Sequence, residues 1–249
     1  MKNVFFYLAL ALFSISMVAQ NNLTFIEANE AYNKGAYEKA TDLYEKILKT
    51  KNHSANLYFN LANSYYKLQK TGPSIYNYEK ALSLAPNNKD IQINYGYAKQ
   101  TRLDNIETLP KGFLKRFYES LVHLPINFWA WFAVISVFLF VIGFILFYRS
   151  YNPSLRKVYF GVWSLSILLV IFSLIFAFAT EKYQKNTKYA IIYLPEVRIQ
   201  SEPNLRSEQL FKLHEGTKVQ VIEMVDNWKK IRLTDGKIGW IPKKDIREL

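Results

Sequence analysis

The sequence has 249 residues, of which 50% are apolar and 16% aromatic, and this composition excludes a disordered or low-complexity chain. Its net charge of +12 would suit a nucleic-acid-binding protein, but half of that excess lies in residues 110–186, the most apolar part of the chain. Because Lys and Arg flank membrane-spanning helices, we attribute the charge to a membrane anchor that meets lipid headgroups and expect no nucleic-acid partner. The absence of cysteine excludes disulfides and thiolate metal sites.

The amino terminus has the pattern of an export signal. Met1-Lys2-Asn3 is a short basic region, an apolar stretch follows from Val4, and small residues around Ala19 precede a polar segment. This order predicts a signal peptide over residues 1–20. Met17 is not ideal for cleavage after Ala19, so the segment is either removed or kept as a signal anchor, and both alternatives export the residues that follow.

A 34-residue period marks the next segment, residues 21–109. Tyr44 and Tyr78 fall at the same repeat position, and the second copy contains NLANSYYKL and YEKALSLAPNN. This pattern resembles the tetratricopeptide repeat (TPR), a pair of helices packed through small residues. Residues 89–106 predict an amphipathic helix that caps the stack, so we expect an α-helical TPR solenoid of two repeats and a capping helix.

The resemblance implies a ligand groove on the concave face, which the first helix of each repeat lines. An aromatic and amide surface suits an extended peptide, although each side chain taken alone is also compatible with helix packing or solvation. Phe25, Asp90 and Asn94 replace basic residues of a dicarboxylate clamp, which disfavours capture of an acidic carboxyl-terminal tail. The predicted groove residues are Asn29, Asn33, Phe59, Asn60, Asn63, Tyr66 and Lys67.

Two uncharged apolar segments, residues 128–147 and 159–180, predict a transmembrane helical hairpin, since each reaches about 30 Å as a helix. Residues 110–127 predict an amphipathic helix in the membrane interface. The basic loop of residues 148–158 is predicted to be cytoplasmic. Together with the export signal, this predicts a two-pass protein of the bacterial inner membrane with both soluble domains on the extracytoplasmic side.

Residues 181–249 predict a small all-β barrel of five or six strands, with turns at His214-Glu215-Gly216 and Asp235-Gly236. LFKLHEGTKVQV and GWIP resemble the bacterial SH3 domain, and GWIP corresponds to an element that lines the SH3 groove. Lys243-Lys244-Asp245 stands where an aromatic residue is expected, so the shelf for polyproline ligands is incomplete. The candidate ligand-binding residues are Trp228, Trp240 and Pro242, with half-buried support of the barrel as the alternative for both tryptophans.

Reactive side chains form no recognisable catalytic pattern. His53, His123 and His214 lie in three different segments, and the sequence contains no glycine-rich phosphate loop or metal-binding motif. We therefore predict no catalytic residues, no cofactor and no metal site, and a protein that is not an enzyme.

The order of signal, TPR repeats, two spans and SH3 domain, a multidomain α plus β membrane protein, resembles the E-type family of bacterial Bat aerotolerance operons over the whole chain. Residues 102–107, Leu109-Pro110 and the motifs quoted above carry the resemblance. It implies von Willebrand A-type membrane proteins and a MoxR-type ATPase as partners, with a link to oxidative stress. The sequence thus predicts a non-enzymatic scaffold for envelope proteins, and the alternative is a peptidoglycan-binding or wall-sensing module acting through the SH3 domain.

Overall fold

A computed structural model describes residues 22–107 and 109–249, and the predicted signal peptide lies outside them. The chain divides into two compact units. One joins the residues before position 109 to Tyr189–Leu249, and the other is Leu109–Lys188. The segments on either side of the two candidate spans therefore fold together.

The first unit begins with five helices. They are residues 22–33 (α1), Tyr37–Lys49 (α2), Ala55–Lys67 (α3), Thr71–Leu84 (α4) and Lys89–Gln100 (α5). The 34-residue period is visible in their boundaries. Ser54 and Asn88 cap α3 and α5 by accepting hydrogen bonds from Leu57 N and Ile91 N, each at 3.2 Å. The turns after α1 and α3 both require a left-handed residue, which is Gly35 in the first repeat and Gln69 in the second.

Small residues at equivalent repeat positions let the helices approach closely. Ala28 and Ala62 on the first helices are fully buried, as are Ala40 and Ser74 on the second helices. The larger side chains of α2, α3 and α4 fill the space between them, with Tyr44 and Tyr78 each only 1% exposed. The small residues of the 34-residue pattern therefore lie where the helices pack against each other.

The second unit contains Phe113–Val122 (α6), Ile126–Arg149 (α7) and Pro153–Asn186 (α8), of which α7 and α8 are long and apolar enough to cross a membrane. The connection between them is shorter than the predicted loop because Asn152 caps α8 through Ser154 N, at 2.9 Å. The two helices pack closely at Gly143, where an added Cβ would lie 3.2 Å from the backbone nitrogen of Trp163. Small residues thus serve packing within one hairpin.

The SH3 segment forms one antiparallel sheet, and the prediction of a closed barrel is wrong. The strands are Lys188–Ile192 (β1), Glu196–Gln200 (β2), Gln209–His214 (β3), Lys218–Val225 (β4), Trp228–Arg232 (β5), Ile238–Pro242 (β6) and Ile246–Glu248 (β7). Their order is β3-β2-β6-β5-β4-β1-β7. Closure would require hydrogen bonds between β3 and β7, but the three-residue β7, which the sequence did not predict, pairs with β1. Register shifts in β2 and β4 bend the open sheet, so that Leu213 and Ile246 from its two edges share one core.

Strand β1 is buried on both faces and joins the sheet to the helices. Ala190 and Ile192 belong to the core of the sheet, whereas Ile191 points the other way, into the helical core with Ile75 and Tyr78. Ala190, Ile191 and Ile192 are all fully buried. Because successive side chains of a strand point to opposite faces, this strand contributes to two cores at once.

The turn after β3 contacts the amino terminus of α4. Glu215 Oε2 accepts a hydrogen bond from Gly72 N at 2.8 Å, and α4 has no side-chain cap of its own. A Cβ at Gly216 would lie 2.8 Å from Ile75 Cδ1, so only glycine fits here, where φ is +82°. A carboxylate at a helix amino terminus satisfies a free N–H and the helix dipole, so the sheet supplies the cap that the repeat lacks.

Candidate functional site

The groove of the repeats is lined by paired asparagines, which we call the amide ladder (Asn29, Asn60, Asn63 and Asn94). Asn29 Oδ1 accepts hydrogen bonds from the Tyr44 hydroxyl at 2.6 Å and from Asn60 Nδ2 at 2.9 Å. One repeat later, Asn63 Oδ1 accepts from the Tyr78 hydroxyl at 2.5 Å and from Asn94 Nδ2 at 3.3 Å. The same three-residue geometry thus recurs with the period of the sequence.

The two tyrosines hold the ladder in place from the second helix of each repeat. Burial raises the pKa of Tyr44 to about 12, and burial also raises the pKa of Tyr78. Both hydroxyls are therefore protonated donors at neutral pH. Asn29 Nδ2 and Asn60 Oδ1 have no hydrogen-bond partner among the described residues, so two residues that line the groove retain an unused donor and an unused acceptor, the pair that a peptide main chain requires.

A concavity of about 310 Å³ opens above the ladder, and this concavity is the repeat groove. It contains four of the predicted residues, Asn29, Asn33, Asn60 and Asn63, together with Tyr32 and Tyr44. The predicted Tyr66 and Lys67 line a second concavity, together with Thr71 and Thr101. The predicted Phe59 is half-buried, and its ring centroid lies 6.1 Å from that of Tyr78. The sequence reasoning did not assign Tyr44 and Tyr78 to the site, although their 34-residue spacing from each other was visible.

The SH3 segment has a larger concavity of about 1250 Å³, the SH3 pocket. One wall is the loop of residues 203–206. The others are Asn227 and Trp228, at the start of β5, and the stretch 242–247, of which every residue except Asp245 lines the pocket. Trp228 and Pro242 are partners in the β5–β6 pairing, so these two predicted residues lie side by side. The predicted Trp240 lies outside the lining, is 9% exposed, and packs with Lys230 Nζ at 5.5 Å from its ring centroid.

Hydrogen bonds within the walls fix the shape of the SH3 pocket. Lys243 N donates to Asn227 O at 2.8 Å, which ties the turn after β6 to the start of β5. In the opposite loop, Asn204 Oδ1 accepts from Arg206 N at 2.9 Å, and Ser207 Oγ donates to Asn204 O at 2.8 Å. The loops are held by local contacts, which suits a preformed site.

A third cluster lies where the chain leaves α5 and meets the sheet. The Asp104 carboxylate accepts hydrogen bonds from His214 N at 2.7 Å and from the Thr217 hydroxyl at 2.6 Å, and it contacts His214 Nδ1 at 2.7 Å. Burial acts to raise the pKa of Asp104, but the hydrogen bonds from His214 and Thr217 outweigh it, so that the pKa lies below its usual value. This cluster joins the repeats to the SH3 segment.

Two segments match known families. Residues 55–88 match the tetratricopeptide repeat, and residues 195–247 match the bacterial SH3 domain, which confirms the predictions for these two segments. No curated protein matches the chain. Both families are typically interaction modules without catalytic activity, and they suggest binding to proteins or to peptidoglycan. The SH3 match begins after β1, the strand that contributes to both cores.

Proposed function

We propose that this protein is a non-enzymatic adaptor of the bacterial inner membrane that uses its repeat groove and its SH3 domain to gather envelope proteins. The amide ladder is the observation that carries the proposal. Asn29 carries an unused donor and Asn60 an unused acceptor; Tyr44 orients Asn29, and Asn29 in turn orients Asn60. Such a surface binds the main chain of an extended peptide with little ordering cost, whatever its sequence.

The neutrality of the groove supports binding to peptide backbone rather than to a charged group. Its lining contains amides and tyrosines and no charged side chain. Amide-to-main-chain hydrogen bonds do not depend on the charge of the ligand, so one groove can accept several partners. This is the behaviour that an assembly factor requires.

The two-unit architecture supports a two-pass topology. The helices before the spans and the sheet after them fold into one unit, which favours a position for both on the same side of the membrane. An even number of crossings between them satisfies this condition, and α7 and α8 supply two. The predicted export signal and the basic residues Arg149, Arg156 and Lys157 favour the extracytoplasmic side for the soluble unit. Alkaline phosphatase fused after Glu107 or Leu249 should be active, and phosphatase fused after Asn152 should be inactive.

Photo-crosslinking in native membranes tests the adaptor function. A photoreactive amino acid at Asn33, an exposed groove residue, should give adducts with envelope proteins, and the same amino acid at the exposed Lys46 of α2 should not. Adding Asn29→Ala should remove the adducts. Recovery of von Willebrand A-type membrane proteins would support a Bat-type complex in aerotolerance or oxidative stress. Recovery of other envelope proteins would retain the adaptor and reject that complex, and equal labelling from both positions would contradict the proposal.

The SH3 pocket favours a second candidate function, peptidoglycan binding or wall sensing. Trp228 and Pro242 offer an apolar surface in a preformed concavity. In sedimentation with purified peptidoglycan, this function predicts retention of the purified chain and loss of retention with Trp228→Ala. Trp240→Ala tests the other tryptophan, which lies outside the lining. No retention of the wild-type chain would reject the candidate.

A further inference from the structure

The SH3 pocket has a strongly uneven charge. Four basic residues, Arg206, Lys243, Lys244 and Arg247, line it, and no acidic residue does. They come from two separate walls, Arg206 from the loop before β3 and the other three from the stretch that follows β6. The cations therefore face the same concavity because of the fold and not because they are neighbours in sequence.

Within the described residues, none of these four cations is used in an ion pair. The lysines of the SH3 segment that form ion pairs are others, namely Lys212, Lys218, Lys229, Lys230 and Lys237. The side chains of Arg206, Lys243, Lys244 and Arg247 are exposed. Four cations around one concavity, none of them in an ion pair with a described residue, create a positive potential that attracts an anionic ligand and raises its association rate.

Arg247, which lines the pocket, stacks on an aromatic ring. Its guanidinium carbon lies 5.1 Å from the centroid of the Tyr193 ring. Stacking on an aromatic face restrains the guanidinium plane and leaves its N–H groups directed outward from the edge, where they can donate to a carboxylate. Tyr193 in turn contacts Tyr76 of α4, edge to face at 6.2 Å, so this cation is supported by the joint between sheet and repeats.

Apolar side chains accompany the cations. Trp228 and Pro242 lie side by side across the β5–β6 pair, and Leu205 on the opposite loop is 80% exposed at the pocket. Leu205, Trp228 and Pro242 together give the pocket apolar surface beside its cations. A ligand that matches the pocket therefore carries both negative charges and an apolar group.

We infer that the SH3 pocket binds an acidic peptide segment of a partner protein, with its carboxylates on Arg206, Lys243, Lys244 and Arg247 and an apolar side chain against Trp228 and Pro242. This inference rests on the proposed adaptor function and names the chemistry of the partner for its second surface. A purely anionic polymer would leave the apolar residues unused. A basic or neutral proline-rich peptide would leave the cations uncompensated.

Titration of the full-length chain in detergent micelles with synthetic peptides tests the inference. The probe is a fluorescent peptide in which glutamates alternate with leucine and proline, and its control has glutamine in place of each glutamate. We expect the glutamate peptide to bind about tenfold more tightly, because several exposed ion pairs together contribute about 1.4 kcal/mol. Added salt should reduce this difference, since exposed charges are screened.

Charge reversal identifies the site. The double variant Lys243→Glu and Lys244→Glu should lose the preference for glutamate over glutamine, because Arg206 and Arg247 then face two carboxylates. The matched control is Lys89→Glu with Lys237→Glu, which changes the charge of the chain equally at two exposed positions outside the pocket and should bind like the wild type. Trp228→Ala should weaken both the glutamate and the glutamine peptides.

Three outcomes would overturn the inference. Equal affinity for the glutamate and glutamine peptides would remove the role of the cations, and unchanged binding by the charge-reversed variant would place the site elsewhere. Trp228-dependent sedimentation with peptidoglycan without binding of the glutamate peptide would assign the pocket to the cell wall. Asn29→Ala changes the repeat groove and leaves the SH3 pocket intact, so this variant should still bind the glutamate peptide. Absence of crosslinks from the groove of the wild-type chain would therefore contradict the adaptor proposal alone, and absence of peptide binding by the wild-type chain would contradict this inference alone.

Discussion

The repeat groove and the SH3 pocket are built on opposite principles within one compact unit. The groove is neutral, its side chains are hydrogen-bonded to each other, and its geometry repeats every 34 residues. The pocket is basic and takes its walls from loops that do not repeat. A repeat can only reproduce the same contact along a ligand, whereas loops on a sheet can combine unlike groups. The chain thus has one surface suited to peptide main chain and another suited to side chains.

The two surfaces belong to one folding unit, and a substitution of Ile191 tests this most directly. It is fully buried in the helical core although it belongs to the sheet. Ile191→Ala should lower the free energy of unfolding by about 2–4 kcal/mol, because it leaves a cavity where the two halves meet. Chemical denaturation of the purified chain in detergent measures this. Ile222→Ala, at an exposed position of β4, should change it by less than about 0.5 kcal/mol. Equal effects of the two substitutions would mean that the halves are not joined through β1.

Because the side chains of the amide ladder are hydrogen-bonded to each other, removing one of them should lower the free energy of unfolding. Asn63→Ala leaves the buried Tyr78 hydroxyl without its acceptor and should cost about 1–3 kcal/mol of unfolding free energy. Tyr78→Phe in the same background should recover part of that loss, since the unpaired hydroxyl is gone. Asn33→Ala, an exposed groove residue, serves as the control. If Tyr78→Phe worsens the Asn63→Ala variant, the hydroxyl has another partner and the ladder is not the stabilising contact.

The joint also predicts that a carboxylate of the sheet stabilises a helix of the repeats. Glu215→Ala should destabilise the unit by about 1 kcal/mol, since the Gly72 N–H at the start of α4 loses its acceptor. Glu202→Ala, at an exposed position of the SH3 loop, is the matched control. Protection of the amide hydrogens in the first turn of α4 should fall in Glu215→Ala alone, and an unchanged exchange rate would contradict the capping role.

A pH titration distinguishes the joint from the groove, because the joint is charged and the groove is not. The pKa of Asp104 is lowered in the folded state, so its contribution to stability is present above the usual aspartate pKa of about 4 and is lost as the pH falls through the lowered value. We expect the denaturation midpoint to fall on acidification below about pH 4. Asp104→Asn should be less stable at neutral pH and should lose part of that pH dependence. An identical pH profile for both chains would exclude Asp104 as the source.

The smallest expected effect concerns Asp245, the acidic residue beside the basic wall of the SH3 pocket. Burial raises its pKa, and its Oδ1 has no described hydrogen-bond partner. A carboxyl with a raised pKa reduces stability as the pH rises above the usual aspartate value. Asp245→Asn should therefore raise the denaturation midpoint slightly at neutral pH and leave it unchanged in acid. A lower midpoint at neutral pH would show that the ionised carboxylate stabilises the fold.

Local signals in the sequence were sufficient to predict those elements that depend on a repeat period, on an uncharged apolar run or on an alternation of residues. The 34-residue period predicted the helix pairs because each repeat packs against a copy of itself, and Ser54 and Asn88 show that the caps follow the same period. The uncharged runs predicted α7 and α8 because length and apolar character are all that a membrane span requires. Alternating residues predicted β1 to β6, but not the short β7 or the open sheet, since neither has a signal of its own.

The candidate sites divide in the same way. Asn29, Asn33, Asn60 and Asn63 were predicted from repeat positions and line the groove. Trp240 was predicted from a motif, but the burial of its ring depends on how β5 and β6 pair. Lys243 and Lys244 were read only as a missing aromatic residue. Their meeting with Arg206 depends on the folding of two loops about forty residues apart in sequence.

The repeats, the two apolar helices and the strand pattern of the SH3 segment could all be predicted from the sequence, because each has a local signal: a repeat period, an uncharged apolar run or an alternation of residues. That the repeats and the sheet form one unit follows only from long-range contacts, since Ile191, Glu215 and Asp104 contact partners more than one hundred residues away in the chain. The sequence holds one indication of this joint. Ala190, Ile191 and Ile192 are three consecutive apolar residues, whereas a strand that is buried on one face alone alternates apolar with polar residues. Hydrophobic periodicity reports that a face is buried, and the fold determines what buries it.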